Sequence, residues 1–377
     1  MHLYRGKKAF RRKATISLEE TIHCEMRRFS LPRRWMIITS TTNLVRIRTM
    51  NNEPFKAAQT PQKLASLTSA ITLAVILATP VANAADVSAP APEMTYRTIE
   101  IDGSKIAYRE IGSHDKPAIL LLHGVPSSSR MYEDLMKRLG NEYHLVAPDY
   151  PGFGNSDAPS PQDYTYTFDH LAKTIIKLTD TLKLDRYVLF MQDYGAPVGM
   201  RVAMARPQSV MGTIFQNGNV YEEGLGPMWE KRKAFWNNRD DFQAEVVKQQ
   251  QSLAVTRARH LGTDPNIEAY NPDLWMDEHA YLNRPGQEQI QSDLIFDYQN
   301  NIAAYPIWQS WLRAHTPSTL VMWGKYDPAF TVAGADAFKK DLPEADIHIL
   351  DAGHFAMDTK LDEVASFTRA YMARLPR

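Results

Sequence analysis

The chain has 377 residues, with 43 Lys plus Arg and 43 Asp plus Glu, so its formal net charge is zero. This neutral balance gives no electrostatic reason to expect nucleic acid as a partner. Hydrophobic residues make up 44% of the sequence, which is typical of a globular protein with a sizeable core.

The region before residue 96 is predicted to contribute nothing to the folded protein. Residues 1–49 are rich in Arg and Lys without an apolar period, and we expect an upstream mis-start or disorder. In residues 50–84, lysines precede an apolar run at 64–78 and Ala82-Asn83-Ala84 follows, a pattern that predicts a secretory signal peptide cleaved after Ala84. A twin-arginine signal at Arg27-Arg28 is the alternative, but no apolar run follows it closely.

Several expectations follow from this signal. The apolar run is shorter than the roughly 20 residues of a membrane span, so the mature protein is expected to lack one and to be periplasmic or secreted. Residues 85–95 are predicted to be a flexible linker. The one cysteine, Cys24, lies before the cleavage point, so the folded part should have no disulfide, thiol nucleophile or cysteine-based metal site.

From residue 96 onward, short apolar runs alternate with stretches of helical periodicity. Continuous apolar runs such as residues 118–122 are expected for strands covered on both faces, and their alternation with helices predicts a mostly parallel sheet flanked by helices. The predicted strands are residues 96–101, 105–111, 118–122, 144–147, 187–191, 210–216, 319–323 and 347–350, and the predicted helices include 130–139, 168–182, 198–205 and a last one capped by Thr359.

Strand signals disappear between residues 217 and 315. This segment is helical, rich in loops and heavy in aromatic residues, so we predict a helical cap inserted after the sixth core strand. The cap would cover the carboxyl edge of the sheet, where open α/β sheets bind ligands. The core domain is then predicted to consist of residues 96–216 and 316–377.

The strand at 187–191 ends in the polar step Gln192-Asp193, with Gly195 two residues later and a helix beyond. A strand that turns sharply into a helix with a reactive residue at its tip is a nucleophile elbow. Asp327 and His354 also follow predicted strands, which gives the order nucleophile, acid, histidine. His123-Gly124 precedes a turn that can aim the Val125 amide at the same place.

These motifs resemble the epoxide hydrolase and haloalkane dehalogenase branch of the α/β-hydrolase fold family. The resemblance rests on His123-Gly124-Val125-Pro126, the glycine-rich loop at 152–157, Gln192-Asp193-Tyr194-Gly195 and Gly353-His354. It implies an α/β-hydrolase fold from about Tyr96 to the end of the chain. Met191 departs from the family, which prefers a small residue at that position because strand and helix crowd there.

An aspartate nucleophile restricts the chemistry. Asp193 is ionised near neutral pH, since an ordinary Asp titrates at ~3.9. Attack on an ester carbonyl would give a strained anhydride, whereas attack on a saturated carbon gives an alkyl ester that a His354-activated water can hydrolyse. Asp327 would orient His354. The amides of Val125 and Tyr194 would hold the oxyanion, each typically worth ~2.7–4 kcal/mol. No metal or organic cofactor is required.

The leaving group decides between the two activities of the branch. An epoxide needs a proton donor, and a tyrosine hydroxyl can supply it; a halide needs only N–H donors. Dehalogenases of this group commonly have Trp where Tyr194 stands and Asn where Val125 stands, which favours an epoxide. The segment 297–301 resembles the one that carries a ring-opening tyrosine, so Tyr298 is the candidate, with its partner left open among Tyr221, Tyr270 and Tyr281.

We therefore predict an epoxide hydrolase-like enzyme acting on a small apolar molecule. A haloalkane dehalogenase is the alternative, since the cap carries five tryptophans. A haloacetate dehalogenase would be expected to have Arg, not Tyr194, beside the nucleophile. A non-catalytic small-molecule binder on the same fold is a third hypothesis. The sequence does not indicate the oligomeric state.

Overall fold

The computed structural model describes residues 92–376, so the predicted signal peptide and the segment before it lie outside the described residues. The described chain contains an eight-stranded sheet in the order β1-β2-β4-β3-β5-β6-β7-β8. The strands are β1 (Thr95–Ile101), β2 (Ser104–Ile111), β3 (Ala118–Leu122), β4 (His144–Pro148), β5 (Tyr187–Gln192), β6 (Val210–Gln216), β7 (Thr319–Gly324) and β8 (Asp346–Leu350).

The sheet is mostly parallel. The β1–β2 and β2–β4 pairs are antiparallel, and every pair from β4 across to β8 is parallel. The apolar runs of β3 and β5 are buried throughout, and alternate residues belong to two apolar clusters, one containing Leu120 and Leu189 and the other Leu121 and Phe190. The predicted parallel sheet covered on both faces is confirmed.

The helices lie between the strands and after them. A 3₁₀ turn, Ser129–Tyr132, starts the predicted first helix, because the Ser128 hydroxyl caps Arg130 and Asp149 accepts the Ser129 amide. The α-helices are α1 (Glu133–Leu139), α2 (Phe168–Leu182), α3 (Gly195–Ala205), α4 (Trp229–Asn237), α5 (Arg239–Gln250), α6 (Leu253–Leu261), α7 (Asp273–Leu282), α8 (Gln287–His315), α9 (Val332–Ala337) and α10 (Met357–Met372).

The start of the last helix differs from the prediction. Helix α10 begins at Met357, and the backbone of Lys360 departs from helical angles, so the helix is kinked where the sequence suggested its start. Thr359 does not cap it: its hydroxyl is buried and has no hydrogen-bond partner within the described chain.

The helical insertion follows β6, as predicted. Helices α4 to α8 lie between β6 and β7, and Trp308 is among the largest fully buried side chains. His260 of α6 joins this cap to the core, since its two ring nitrogens lie 2.7 Å from Glu278 of α7 and 2.7 Å from Asp358 of α10. In the part of the chain that is described, no helix is long and apolar enough to span a membrane.

The crowding expected at Met191 is relieved by a glycine on the neighbouring helix. Met191 is fully buried between β5 and α3, and a Cβ atom on Gly199 would lie 2.3 Å from its sulfur. Because Gly199 has no side chain, α3 leaves the space that the Met191 side chain fills.

This pairing predicts an interaction between two substitutions. Gly199→Ala should lower the free energy of unfolding by about 1–3 kcal/mol through overpacking, and Met191→Ala by about 2–5 kcal/mol through a cavity. Because the new methyl group would enter the space left by Met191, the double variant should be destabilised by less than the sum, as measured by urea unfolding. Strictly additive effects would contradict the proposed compensation.

Candidate active site

Asp193 stands at the tip of a tight turn between β5 and α3. Its backbone has a φ of 49°, a left-handed conformation that is strained for a residue with a side chain. Two glycines make room for it: a Cβ on Gly195 would lie 2.0 Å from the Leu122 carbonyl oxygen, and a Cβ on Gly124 would lie 2.2 Å from the Asp193 Cβ. The turn has the geometry of a nucleophile elbow.

The two carboxylate oxygens of Asp193 have different surroundings. Oδ1 accepts a hydrogen bond of 2.9 Å from the Val125 amide, and Oδ2 lies 3.5 Å from His354 Nε2. Burial raises the pKa of Asp193, and His354 and the amides of Val125 and Tyr194 oppose that rise. One oxygen thus occupies the predicted oxyanion position while the other faces the histidine.

His354 is held by Asp327. Its Nδ1 donates to Asp327 Oδ2 over 2.7 Å, and Asp327 Oδ1 accepts from the amides of Ala329 and Phe330 at 2.7 and 3.1 Å. Burial alone would lower the pKa of His354, but the charge and hydrogen bond of Asp327, together with the charge of Asp193, leave it above its ordinary value. Asp193, His354 and Asp327 are therefore brought together as the sequence predicts.

Two amide side chains complete this network, that of Gln192 in the predicted elbow and that of Asn217, although the sequence does not indicate a role for either. Gln192 Nε2 lies 2.8 Å from His354 Nε2, on the nitrogen that faces Asp193. Asn217, the first residue after β6, donates to Asp327 Oδ2 over 2.7 Å. Both act through His354 and Asp327, so they are positioning residues.

His123 and Gly124 shape the turn beside the nucleophile. His123 Nδ1 lies 2.9 Å from the Gly124 carbonyl oxygen, and Nε2 accepts from the Tyr150 amide at 3.3 Å. Burial lowers the pKa of His123, which favours a neutral ring. His123 does not line the cavity described below, and its contacts make it a support for the Val125 amide.

A cavity of about 290 Å³ opens over Asp193 between the core and the cap helices. Most of its wall is apolar. The lining residues with titratable or amide side chains are Asp193, His354, Tyr194, Tyr298, Gln249, Arg232 and Arg259. The lining residues are Val125, Asp193, Tyr194, Met228, Trp229, Arg232, Gln249, Val255, Ala258, Arg259, Ile295, Tyr298, Pro328, Ala329 and His354.

Tyr298 is the one candidate ring-opening tyrosine that lines this cavity. Its hydroxyl is buried and has no hydrogen-bond partner in the described chain, and burial raises its pKa well above the ordinary value, with Tyr305 and Asp193 adding to the rise. Tyr221, Tyr270 and Tyr281 bond instead to Asp341, Asp264 and Asn155 and do not line the cavity. None of the three is placed as a partner for Tyr298.

The cap tryptophans do not offer indole N–H groups to the cavity. Of the five, only Trp229 lines it, and its Nε1 donates to the Ala329 carbonyl over 2.9 Å. Trp236 donates to the Ile295 carbonyl over 2.8 Å. The indoles therefore serve mainly as packing groups in the cap.

One cluster outside the cavity has metal-ligating side chains. Glu110, His114 and His144 each offer a ligand atom within 4.8 Å of the others. Glu110 Oε1 already bonds His144 Nε2 over 2.9 Å, and Arg97 lies 3.4 Å from its other oxygen. These contacts describe an ion-pair network at the edge of the sheet.

Comparisons with known proteins identify the family. The family model described as alpha/beta hydrolase fold matches residues 117–361, and the named relatives include haloalkane dehalogenases and epoxide hydrolases. An uncharacterised hydrolase of Saccharomyces cerevisiae is 39% identical over 70% of this chain and 92% of its own length. Haloalkane dehalogenase 2 of Mycobacterium tuberculosis is 36% identical over 61% of this chain and 78% of its own length.

A solved structure agrees in fold. The epoxide hydrolase CorEH, determined without ligand, has a TM-score of 0.61 and 18% identity, and the match covers 74% of this chain and 99% of that one. The elbow and cavity define a hydrolase that acts on a small molecule. The chain belongs to the α/β-hydrolase fold family, which confirms the predicted fold class.

The contact between Asp327 and His354 predicts that the pKa of His354 changes when Asp327 is replaced. In Asp327→Asn the negative charge that raises the pKa of His354 is lost, so His354 should titrate at lower pH than in the wild type. NMR of ¹⁵N-histidine-labelled protein measures this pKa, with His354→Gln to assign the signal.

Asp351→Asn serves as the matched control, because Asp351 is an exposed carboxylate three residues before His354. The control should leave the titration unchanged. An equal pKa in wild type and Asp327→Asn would contradict the assigned role of Asp327.

Proposed function

We propose that the protein hydrolyses molecules with an electrophilic saturated carbon through an ester formed on Asp193, and that an epoxide is the preferred electrophile. The observation that carries this proposal is the placement of the two carboxylate oxygens. With Oδ1 on the Val125 amide at 2.9 Å, Oδ2 is the atom free to attack.

In the first step, Oδ2 of Asp193 forms a bond to the epoxide carbon and the ring C–O bond breaks. The ring oxygen takes the hydroxyl proton of Tyr298, which leaves a hydroxyalkyl ester and a tyrosinate. The apolar wall of the cavity holds the body of the substrate and keeps the carboxylate poorly solvated.

In the second step, a water molecule attacks the Asp193 carbonyl carbon while His354 Nε2 takes its proton. Charge develops on Oδ1, where the amides of Val125 and Tyr194 stabilise it. Collapse breaks the ester bond, and His354 returns its proton to the departing diol oxygen. The proton left on the Asp193 carboxyl group restores Tyr298.

The protonation state of His354 sets the pH dependence of this second step. Only the neutral imidazole accepts a proton from water, so hydrolysis of the ester should rise with pH as His354 loses its proton. Because Asp193 is uncharged in the ester and its charge helps to raise the pKa of His354, this rise should occur at lower pH than the titration of His354 in the free enzyme.

Haloalkane dehalogenation by the same covalent route is the second candidate. It is favoured by the relative of that name, at 36% identity. The cavity supports an epoxide more strongly, because the Tyr298 hydroxyl is free to donate and the Trp229 indole is already bonded to Ala329.

The sequence also leads us to propose a periplasmic or secreted location.

Product analysis tests the choice between the two. The protein is incubated with styrene oxide and with 1-bromobutane, and diol and bromide are followed. We expect diol formation, and Tyr298→Phe should lower its rate by about 100-fold because the general acid is lost.

Tyr281→Phe is the control, because Tyr281 lies outside the cavity. It should retain the wild-type rate. Bromide release without diol would show that haloalkane dehalogenation, not epoxide hydrolysis, is the reaction of this protein. Neither product, with measurable ligand binding, would support a binder that has lost turnover.

A further inference from the structure

Two arginines of the cap reach the catalytic cavity from different helices. Arg232 lies on α4 and Arg259 on α6, and both line the cavity with Asp193. Each residue is partly exposed as a whole, but its Nη1 atom is shielded from solvent and, within residues 92–376, has no hydrogen-bond partner.

Unpaired arginines are unusual in such a place, because a guanidinium that leaves water without a partner is destabilising. Burial, and then the charge of Arg259, lower the pKa of Arg232 to about 10. Burial likewise lowers the pKa of Arg259. Elsewhere in the cap, Arg239 is paired with Asp293. The two cavity arginines therefore lack the counterion that a comparable cap residue has.

The nearby carboxylates are committed to other groups. Asp193 bonds Val125 and faces His354, and neither cavity arginine forms an ion pair with it or with any other described acid within 4.0 Å. Glu278, which favours the charged form of Arg259, bonds His260 over 2.7 Å. Arg259 has one side-chain partner, the neutral amide of Gln250.

The covalent step moves the negative charge of the cavity. When Asp193 becomes an ester, its charge passes to the Tyr298 oxygen, so neither group is a lasting counterion for the two guanidinium groups. A negative charge carried by the substrate itself would remain through this step and keep both arginines paired.

We infer that the substrate is an organic carboxylate, whose carboxyl group is bound by Arg232 and Arg259 while its electrophilic saturated carbon lies at Asp193. The planar N–H fork of arginine matches a carboxylate, which accepts two parallel hydrogen bonds. The inference rests on the proposed function and narrows it to epoxy acids, with halo acids as the corresponding halides. The body between the two ends is expected to be apolar, as the cavity wall is, and the inference adds an anionic end to the small apolar molecule that the sequence predicts.

Binding tests this without turnover. Phenylacetate and its neutral analogue phenylacetamide are titrated into the full-length protein by calorimetry. Since hydrogen bonds between charged groups are about twice as strong as neutral ones, phenylacetate should bind at least about tenfold more tightly. Arg232→Gln and Arg259→Gln should each remove most of that preference and leave phenylacetamide binding unchanged.

Arg257→Gln is the matched control, because Arg257 is exposed on the same helix as Arg259. It should behave as the wild type. Equal affinity for acid and amide in the wild type, or an equal loss in Arg257→Gln, would overturn the inference. If a glutamine variant fails to fold, the corresponding lysine variant is measured instead. Lysine keeps the positive charge but lacks the paired N–H groups of arginine, so phenylacetate binding should weaken. An unchanged affinity in the lysine variant would also overturn the inference.

Kinetics separates this inference from the proposed function. The wild type should turn over 4-carboxystyrene oxide, in which a phenyl ring separates the carboxylate from the epoxide, with a higher kcat/KM than styrene oxide, and Arg232→Gln should abolish that difference. Arginine-dependent binding of phenylacetate without turnover of either epoxide would support the anion site and refute the proposed reaction. Turnover of styrene oxide without any preference for the acids would support the proposed reaction and refute the anion site.

Discussion

The site depends on one constraint: a buried carboxylate must stand on a backbone turn that leaves almost no space around it. Asp193 has a φ of 49° and is 5% exposed. Glycines at 124 and 195 let the neighbouring backbone approach, and the Val125 amide then meets Oδ1. The strand order follows the same requirement, because β3 and β5 are adjacent and deliver the amide and the carboxylate to one edge of the sheet.

Charge around the nucleophile is balanced by groups from both parts of the fold. The core supplies Asp327, which keeps His354 oriented and raises its pKa. The cap supplies Arg259, which opposes the rise in the pKa of Asp193 that burial causes. In the proposed reaction, the core supplies the groups that transfer protons, and the cap supplies the arginines that we propose to bind the charged end of the substrate.

The fold and the three central side chains could be predicted because their signals are local. Apolar runs such as residues 118–122 mark buried strands, and Asp193, Asp327 and His354 each follow one. Arg232 and Arg259 could not, since charged residues occur around much of α4 and α6 and only the docking of those helices decides which ones enter the cavity. The kink near Thr359 was not predicted either, and none of the three tyrosines considered as a partner for Tyr298 lines the cavity.

The central claim is that Asp193 itself becomes esterified, and trapping the ester tests it most directly. In His354→Gln the base that activates water is lost, so after incubation with styrene oxide the peptide containing residue 193 should carry the mass of the bound substrate. His348→Gln, a change at a partly exposed histidine of β8, should leave that peptide unmodified because the ester turns over. An unmodified peptide in His354→Gln, under conditions in which the variant binds the epoxide, would contradict the account.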